Sequence, residues 1–194
     1  MAAGLACVAL LGACASLQHP APHGPSYESD DFRFVAPIGW EFQPSTAAAS
    51  ADGGIVLYVA NQPLRDDCAA AGSQATCQRP IDGELRRGGV LITWVRHSCV
   101  AHGCDLPAAE LISIGNRHGV RMPATQGCAG IGATDGSVYY VTVTPQRVDG
   151  LFVCARDPSD PTRSALLGFL DAIQWRIPCA PRALYSRDTR GGRC

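Results

Sequence analysis

The fold is decided by the stretch SVYYVTV-TPQRVDG-LFVCA, which runs from Ser137 to Ala155. The runs 137–143 and 151–155 are rich in β-branched and aromatic residues, which favour extended strands. Between them, Pro145 to Gly150 contains residue types that commonly form turns. The pattern predicts a β-hairpin with its loop over 145–150 and places the chain in a β-rich class.

Similar signals recur before this hairpin. Apolar and polar residues alternate over 31–35, as in a strand with one buried face, and the apolar run 55–60 is typical of a central strand. Further strands are predicted over 41–42, 89–95, 111–114 and 119–122. The polar, Ala-rich segment 63–87 is compatible with one or two short helices.

A helix is predicted after the hairpin. Asp160 is a candidate N-cap, and Pro161 suits the first helical position. Four apolar residues share one face at helical spacing: Leu166, Leu167, Leu170 and Ile173. We expect this face to pack on the sheet, which predicts an α+β fold with an antiparallel β-sheet flanked by helices. Three tryptophans in apolar runs are predicted core residues: Trp40, Trp94 and Trp175.

The composition excludes several classes of protein. The chain has 194 residues, 46% of them hydrophobic, and a formal charge of -1, so it lacks the basic excess of a nucleic-acid binder. All 16 basic residues are arginines. Enzymes that depend on a lysine Schiff base or a P-loop lysine are therefore excluded. No cofactor is indicated.

The N-terminal segment indicates the destination of the chain. Residues 1–17 are uncharged, and an apolar run ends in Leu11-Gly12-Ala13-Cys14, which resembles the lipobox of bacterial lipoproteins. The resemblance implies that residues 1–13 are a signal peptide and that the thiol of Cys14 carries a palmitate-type diacylglyceryl anchor. Residues 14–29 would tether the domain at the extracytoplasmic face of the cell membrane. An ordinary cleaved signal and an uncleaved anchor are the alternatives, since the segment begins without Lys or Arg.

Ten cysteines are consistent with an oxidising compartment. Cleavage would discard Cys7, and lipidation would use Cys14, which leaves an even number. The remaining eight are disulfide candidates: Cys68, Cys77, Cys99, Cys104, Cys128, Cys154, Cys179 and Cys194. Pairing each cysteine with its neighbour in sequence is the simplest of 105 possible connectivities. It gives Cys68–Cys77, Cys99–Cys104, Cys128–Cys154 and Cys179–Cys194.

Two local patterns leave alternatives open. His97, Cys99, His102 and Cys104 are four possible zinc ligands, although their close spacing and an oxidising compartment favour a disulfide-closed turn without metal. The tail 179–194 contains four arginines and one aspartate. This basic tail, predicted to be closed by a disulfide, would either contact anionic lipid or a wall polymer, or remain solvated.

A family resemblance connects the two ends of the domain. The opening FRFVAPIGW (32–40) and the closing FLDAIQW (169–175) resemble the PsbP/Mog1-like α/β/α sandwich, in particular lipid-anchored members found in actinobacteria. The resemblance implies a single α+β domain over 30–178, stapled by disulfides. It also implies a binding or assembly role, since the family has no common catalytic residue.

These observations together predict an exported, lipid-anchored envelope protein that is not an enzyme. Its partner would be an envelope protein, a glycan or a small ligand. The alternative is a secreted hydrolase or a thiol redox enzyme, for which Cys99 and Cys104 are the candidate active pair. No catalytic residue is assigned, because the nucleophile-elbow, zinc-protease and dinucleotide-binding motifs are absent from the sequence.

Overall fold

The computed structural model describes residues 24–45, 53–65, 80–99, 106 and 108–176. Ten strands lie in this part of the chain: β1 (Ser26–Glu28), β2 (Phe32–Val35), β3 (Glu41–Pro44), β4 (Gly53–Ala60), β5 (Val90–Ser98), β6 (Glu110–Ile114), β7 (Arg117–Pro123), β8 (Asp135–Thr144), β9 (Arg147–Ala155) and β10 (Gln174–Trp175). They are joined by a 3-10 helix, Thr125–Ile131, and an α-helix, α1 (Asp160–Ala172).

The strands form two antiparallel sheets. The large sheet has seven strands in the order β3-β4-β5-β9-β8-β7-β6, and the small sheet has three in the order β1-β2-β10. All neighbouring pairs in both sheets are antiparallel. The predicted α+β class with an antiparallel sheet is therefore confirmed.

The predicted hairpin exists, but its loop is much shorter than expected. β8 ends at Thr144 and β9 already begins at Arg147, so most of the predicted loop 145–150 is strand. The loop was predicted because Pro145 to Gly150 contains residue types that commonly form turns, and the charged residues Arg147 and Asp149 lie within it. In the fold their charges pair with each other and with other buried groups, which allows them to lie within a central strand.

The helix was predicted correctly, and its N-cap was not. The cap is Ser159, whose hydroxyl accepts a hydrogen bond from the amide of Thr162 at 3.4 Å, and Asp160 is the first helical residue. Ser159 takes this role because it has the extended backbone that a cap requires. Leu170 and Ile173 are buried as expected, whereas Leu167 is 59% exposed and does not pack on the sheet.

The main core lies between the large sheet and a layer formed by α1 and the small sheet. The three tryptophans are buried in it, which confirms their prediction as core residues, and Trp94 stacks on Phe32 with ring centroids 4.0 Å apart. A smaller cluster on the opposite face of the large sheet includes Leu85, Leu91 and the disulfide between Cys128 and Cys154. The large sheet thus buries apolar side chains on both faces.

Candidate functional site

A cleft of about 610 Å³ lies between α1 and the end of the large sheet formed by β6, β7 and β8. Helix α1 buries Phe169 and Leu170 in the main core, and Ile173, directly after the helix, is buried there too, so the inner side of the helix is fixed to the sheet. Leu167, a solvent-exposed residue of the same helix, lines the cleft. The apolar part of the lining comes from Val90, Ile112, Tyr139, Val153, Ala155, Leu166, Leu167 and Leu170.

Arg121 on β7 organises the polar wall of this cleft. Its guanidinium donates to the carboxylate of Glu110 at 3.3 Å and to the hydroxyl of Ser137 at 3.2 Å. It also lies 6.0 Å from the ring centre of Tyr139, within the range of a cation–π contact. All four side chains lie on one face, because their strands pair in register across β6, β7 and β8.

Tyr139 forms the floor beneath this group. Burial raises the pKa of its phenol, and the neighbouring charge and hydrogen bond of Arg121 oppose that shift only in part. The hydroxyl is therefore protonated at neutral pH and available for hydrogen bonding. It offers the cleft a neutral polar group beside a cation.

Further charges occur along helix α1. Arg163 lies 3.5 Å from the carboxylate of Asp135 at one end of the cleft. Asp171, near the other end, forms no ion pair with any residue that the structure describes. The lining thus contains Arg121 and Arg163 against three carboxylates, of which one lacks a cationic partner.

A second group of charges lies on the same face of the large sheet, toward β5 and β9. Arg147 donates to both carboxylate oxygens of Asp149, at 2.8 and 2.9 Å, and to Asp31 at 2.7 Å. Arg96 also donates to Asp31, and the indole of Trp94 donates to Asp149 at 3.0 Å. We call these five residues the buried network.

The side chains of the buried network are largely shielded from solvent. The side chain of Asp149 is fully buried, and that of Arg147 is 15% exposed. Burial alone would lower the pKa of Arg147, but its hydrogen bonds and charge pairing with Asp149 and Asp31 raise it above the ordinary value. The network joins the loop before β2 to the centre of the large sheet. Its ion pairs and hydrogen bonds therefore have a structural role.

The predicted cysteine pairs have different outcomes. Cys128 and Cys154 form a disulfide with their Cα atoms 5.4 Å apart, as predicted. Cys99 is also disulfide-bonded. The other predicted cysteine sites lie outside the described residues: Cys14, Cys68, Cys77, Cys104, Cys179 and Cys194.

The structure describes only part of the possible zinc ligand set. His97 and Cys99 are described, whereas His102 and Cys104 are not. The His97 ring lies 6.3 Å from that of Tyr140, and its Nε2 atom is buried without a hydrogen-bond partner. Among the described residues, no group of three or more His, Cys, Asp or Glu side chains could hold a metal ion.

Sequence reasoning missed the cleft. Glu110, Arg121 and Asp171 come from separate elements, and no sequence pattern links the three. The exposed position of Leu167 was equally hidden, because its spacing matches that of the buried helix face. Only the pairing of β6 with β7 brings Glu110 opposite Arg121.

In the described ranges, no helix is sufficiently long and apolar to span a bilayer. Comparisons with protein-family models, with curated proteins and with solved structures return no match.

Proposed function

We propose that this protein is an exported, lipid-anchored envelope protein whose domain binds a partner in the cleft between α1 and β6–β8 and catalyses no reaction. The cleft itself is the observation that supports a binding role. It combines an apolar floor with a few fixed polar groups, which is the usual composition of a ligand site. We assign the domain to the PsbP/Mog1-like sandwich as part of the same proposal.

The arrangement of polar groups favours recognition over catalysis. The hydroxyl of Ser137 accepts a hydrogen bond from Arg121, so its neighbour is a cation. A serine nucleophile needs an adjacent base to remove its proton. Glu110 is engaged by the same guanidinium, so these groups are suited to hold a ligand in place.

The lipid anchor is supported by the lipobox-like segment Leu11 to Cys14. Two acyl chains on one cysteine provide stable membrane attachment without a spanning helix. We expect mass spectrometry of the membrane-extracted protein to find a diacylglyceryl group on an N-terminal peptide that begins at Cys14. An unmodified Cys14, or an N-terminus at another residue, would refute the anchor.

The cleft is tested separately from the anchor. Leu167→Glu places a charge in the cleft, and Ile38→Glu places one at an equally exposed apolar site in the turn before β3. The chain has no lysine, so intact cells are treated with a carbodiimide, which couples its carboxylates to amines of a partner. We expect wild type and I38E to yield the same cross-linked species and L167E to lose it. If L167E keeps that species, the cleft is not the binding surface.

A further inference from the structure

We propose that the partner is an extended polypeptide segment, which pairs with the edge of β6 that no described strand occupies and directs alternate side chains into the cleft. This inference depends on the proposed function, because it names the class of molecule that the cleft binds. Strand addition of this kind obtains affinity from main-chain hydrogen bonds and specificity from pockets for alternate side chains.

The edge of the large sheet provides the hydrogen-bonding groups. β6 is the last strand in the sheet order, so within the described chain only β7 pairs with it. The hairpin between them has a two-residue turn, Gly115-Asn116, and Gly115 has a φ of +58°. Since antiparallel pairs alternate between bonded and non-bonded positions from such a turn, the peptide groups of Leu111 and Ser113 face outward.

The edge is held rigid before any partner arrives. The side chain of Asn116 donates to the carbonyl of Trp175 at 3.1 Å and accepts from its amide at 2.9 Å. The indole of Trp175 donates to the carbonyl of Ile114 at 3.1 Å. These bonds fix the turn against β10, so pairing with β6 requires little ordering of the protein.

The two edge strands of the large sheet differ in how well they are protected against pairing with an added strand. The opposite edge, β3, has four residues and ends at Pro44, which cannot donate to an added strand. β6 contains no proline or lysine and exposes 83% of the Leu111 side chain. A strand edge that lacks such protection among the described residues is a template for pairing with another chain.

The cleft lies beside this edge and selects the side chains of the added strand. Ile112 and Ser113 of β6 line one side, and Leu166, Leu167 and Leu170 line the other. Because side chains alternate along a strand, every second residue of the segment would enter the cleft. The apolar floor and the exposed Leu167 favour apolar residues at these positions.

The charged residues of the cleft indicate which charge the bound segment should carry. Two of its three carboxylates are already engaged, Glu110 by Arg121 and Asp135 by Arg163. Asp171 has no ion-pair partner in the described part of the chain and lies near the end of the cleft. A Lys or Arg at one end of the segment would complete that pair, so we expect an apolar, basic strand.

The experiment selects from random 12-residue peptides displayed on phage, with the full-length lipoprotein in detergent micelles as bait. Recovered peptides are synthesised, and their binding is measured by fluorescence anisotropy. We expect alternating apolar residues with at least one Lys or Arg. Ser113→Pro, which removes an outward N–H, should weaken binding at least tenfold more than Ser113→Ala, which keeps that N–H.

A second measurement avoids any change in the protein. N-methylation of the peptide on the amides that face β6 should abolish binding, whereas N-methylation of the intervening amides should leave it within about twofold. Asp171→Asn should weaken the binding of basic peptides several-fold.

Several outcomes would overturn strand addition. The first is that no peptide is enriched. The second is that the enriched peptides bind equally well to the S113P variant and after N-methylation. The third is that a small amphipathic cation binds selectively and its affinity is unchanged by S113P. Each can occur while L167E still abolishes cross-linking in cells, in which case the binding role of the cleft stands and only the class of partner is wrong.

Discussion

The buried network and the cleft lie on the same face of one sheet, and both pair arginines with carboxylates, yet their environments differ. In the ion pairs of the network, side chains are between 0% and 25% exposed. In the pairs Arg121–Glu110 and Arg163–Asp135 the range is 41% to 62%. The network uses both oxygens of Asp149, whereas the cleft leaves Asp171 without an ion-pair partner in the described chain.

This difference separates a structural role from a binding role. A buried carboxylate with several charge-assisted donors is costly to disturb, because removing Asp149 leaves two arginines to share the single carboxylate of Asp31. Exposed pairs contribute little to stability and can exchange partners with a ligand. Substitutions in the buried network should therefore destabilise the fold far more than substitutions in the cleft.

Asp149→Asn should destabilise the fold by about 3 to 5 kcal/mol, since it removes the charge that Arg147 requires in a buried site. Asp171→Asn is the matched control and should change stability by less than about 0.5 kcal/mol. Urea denaturation measures both free energies of unfolding. Equal effects of the two variants would remove the distinction between the network and the cleft.

Trp94→Phe should cost about 2 kcal/mol, because it removes a hydrogen bond to a buried charged group together with some packing. Trp40→Phe shrinks another indole in the same core, and within the described chain that indole donates no side-chain hydrogen bond. Thermal unfolding compares the two. If W40F costs as much as W94F, the bond to Asp149 contributes nothing beyond packing.

Tyr139 should make the fold sensitive to alkaline pH. Its pKa is raised by burial, so the folded state keeps a proton that the unfolded state loses near pH 10. Stability should be constant below that pH and fall above it, by up to about 1.4 kcal/mol per pH unit for this group.

Tyr139→Phe should reduce this alkaline loss without removing it, because burial also raises the pKa of Tyr58. Denaturation at several pH values from 8 to 11 measures the slope. A slope in the variant identical to that of wild type would show that Tyr139 is not shielded from solvent at the floor of the cleft.

Leu167→Ala should have the smallest effect on stability, within about 0.5 kcal/mol, because 59% of the side chain is already exposed. Leu170→Ala, three residues further along the helix and buried, should cost about 2 to 5 kcal/mol. Denaturant titration of both variants provides the comparison. A large loss from L167A would mean that this leucine supports the core.

The sequence predicted the strands and the helix well because their signals are local. Alternation and β-branched runs identified the strands near residues 32–35, 55–60 and 90–95, and the spacing of Leu166, Leu170 and Ile173 identified the helix. The loop predicted at 145–150 was mostly wrong, because long-range contacts give Arg147 and Asp149 the further partners Asp31 and Trp94. Local sequence cannot distinguish a solvated charge from one that is paired in the fold.

The cleft could not be predicted for a related reason. Its polar group depends on the register of β6, β7 and β8, which brings Glu110, Arg121 and Tyr139 to one face. Leu167 shares its helical spacing with buried leucines, so only the distance between helix and sheet reveals its exposure. The pairing of Cys128 with Cys154 was predictable because they are neighbours in the order of cysteines and lie in or beside predicted strands.

The most direct test of the account places a photoreactive phenylalanine analogue at position 167 or position 38 in cells that carry the protein natively. Both positions are exposed and apolar, but only Leu167 lines the cleft. We predict a discrete cross-linked protein from position 167 and none from position 38. Equal cross-linking from the two positions, or none from either, would contradict the assignment of the cleft as the binding site.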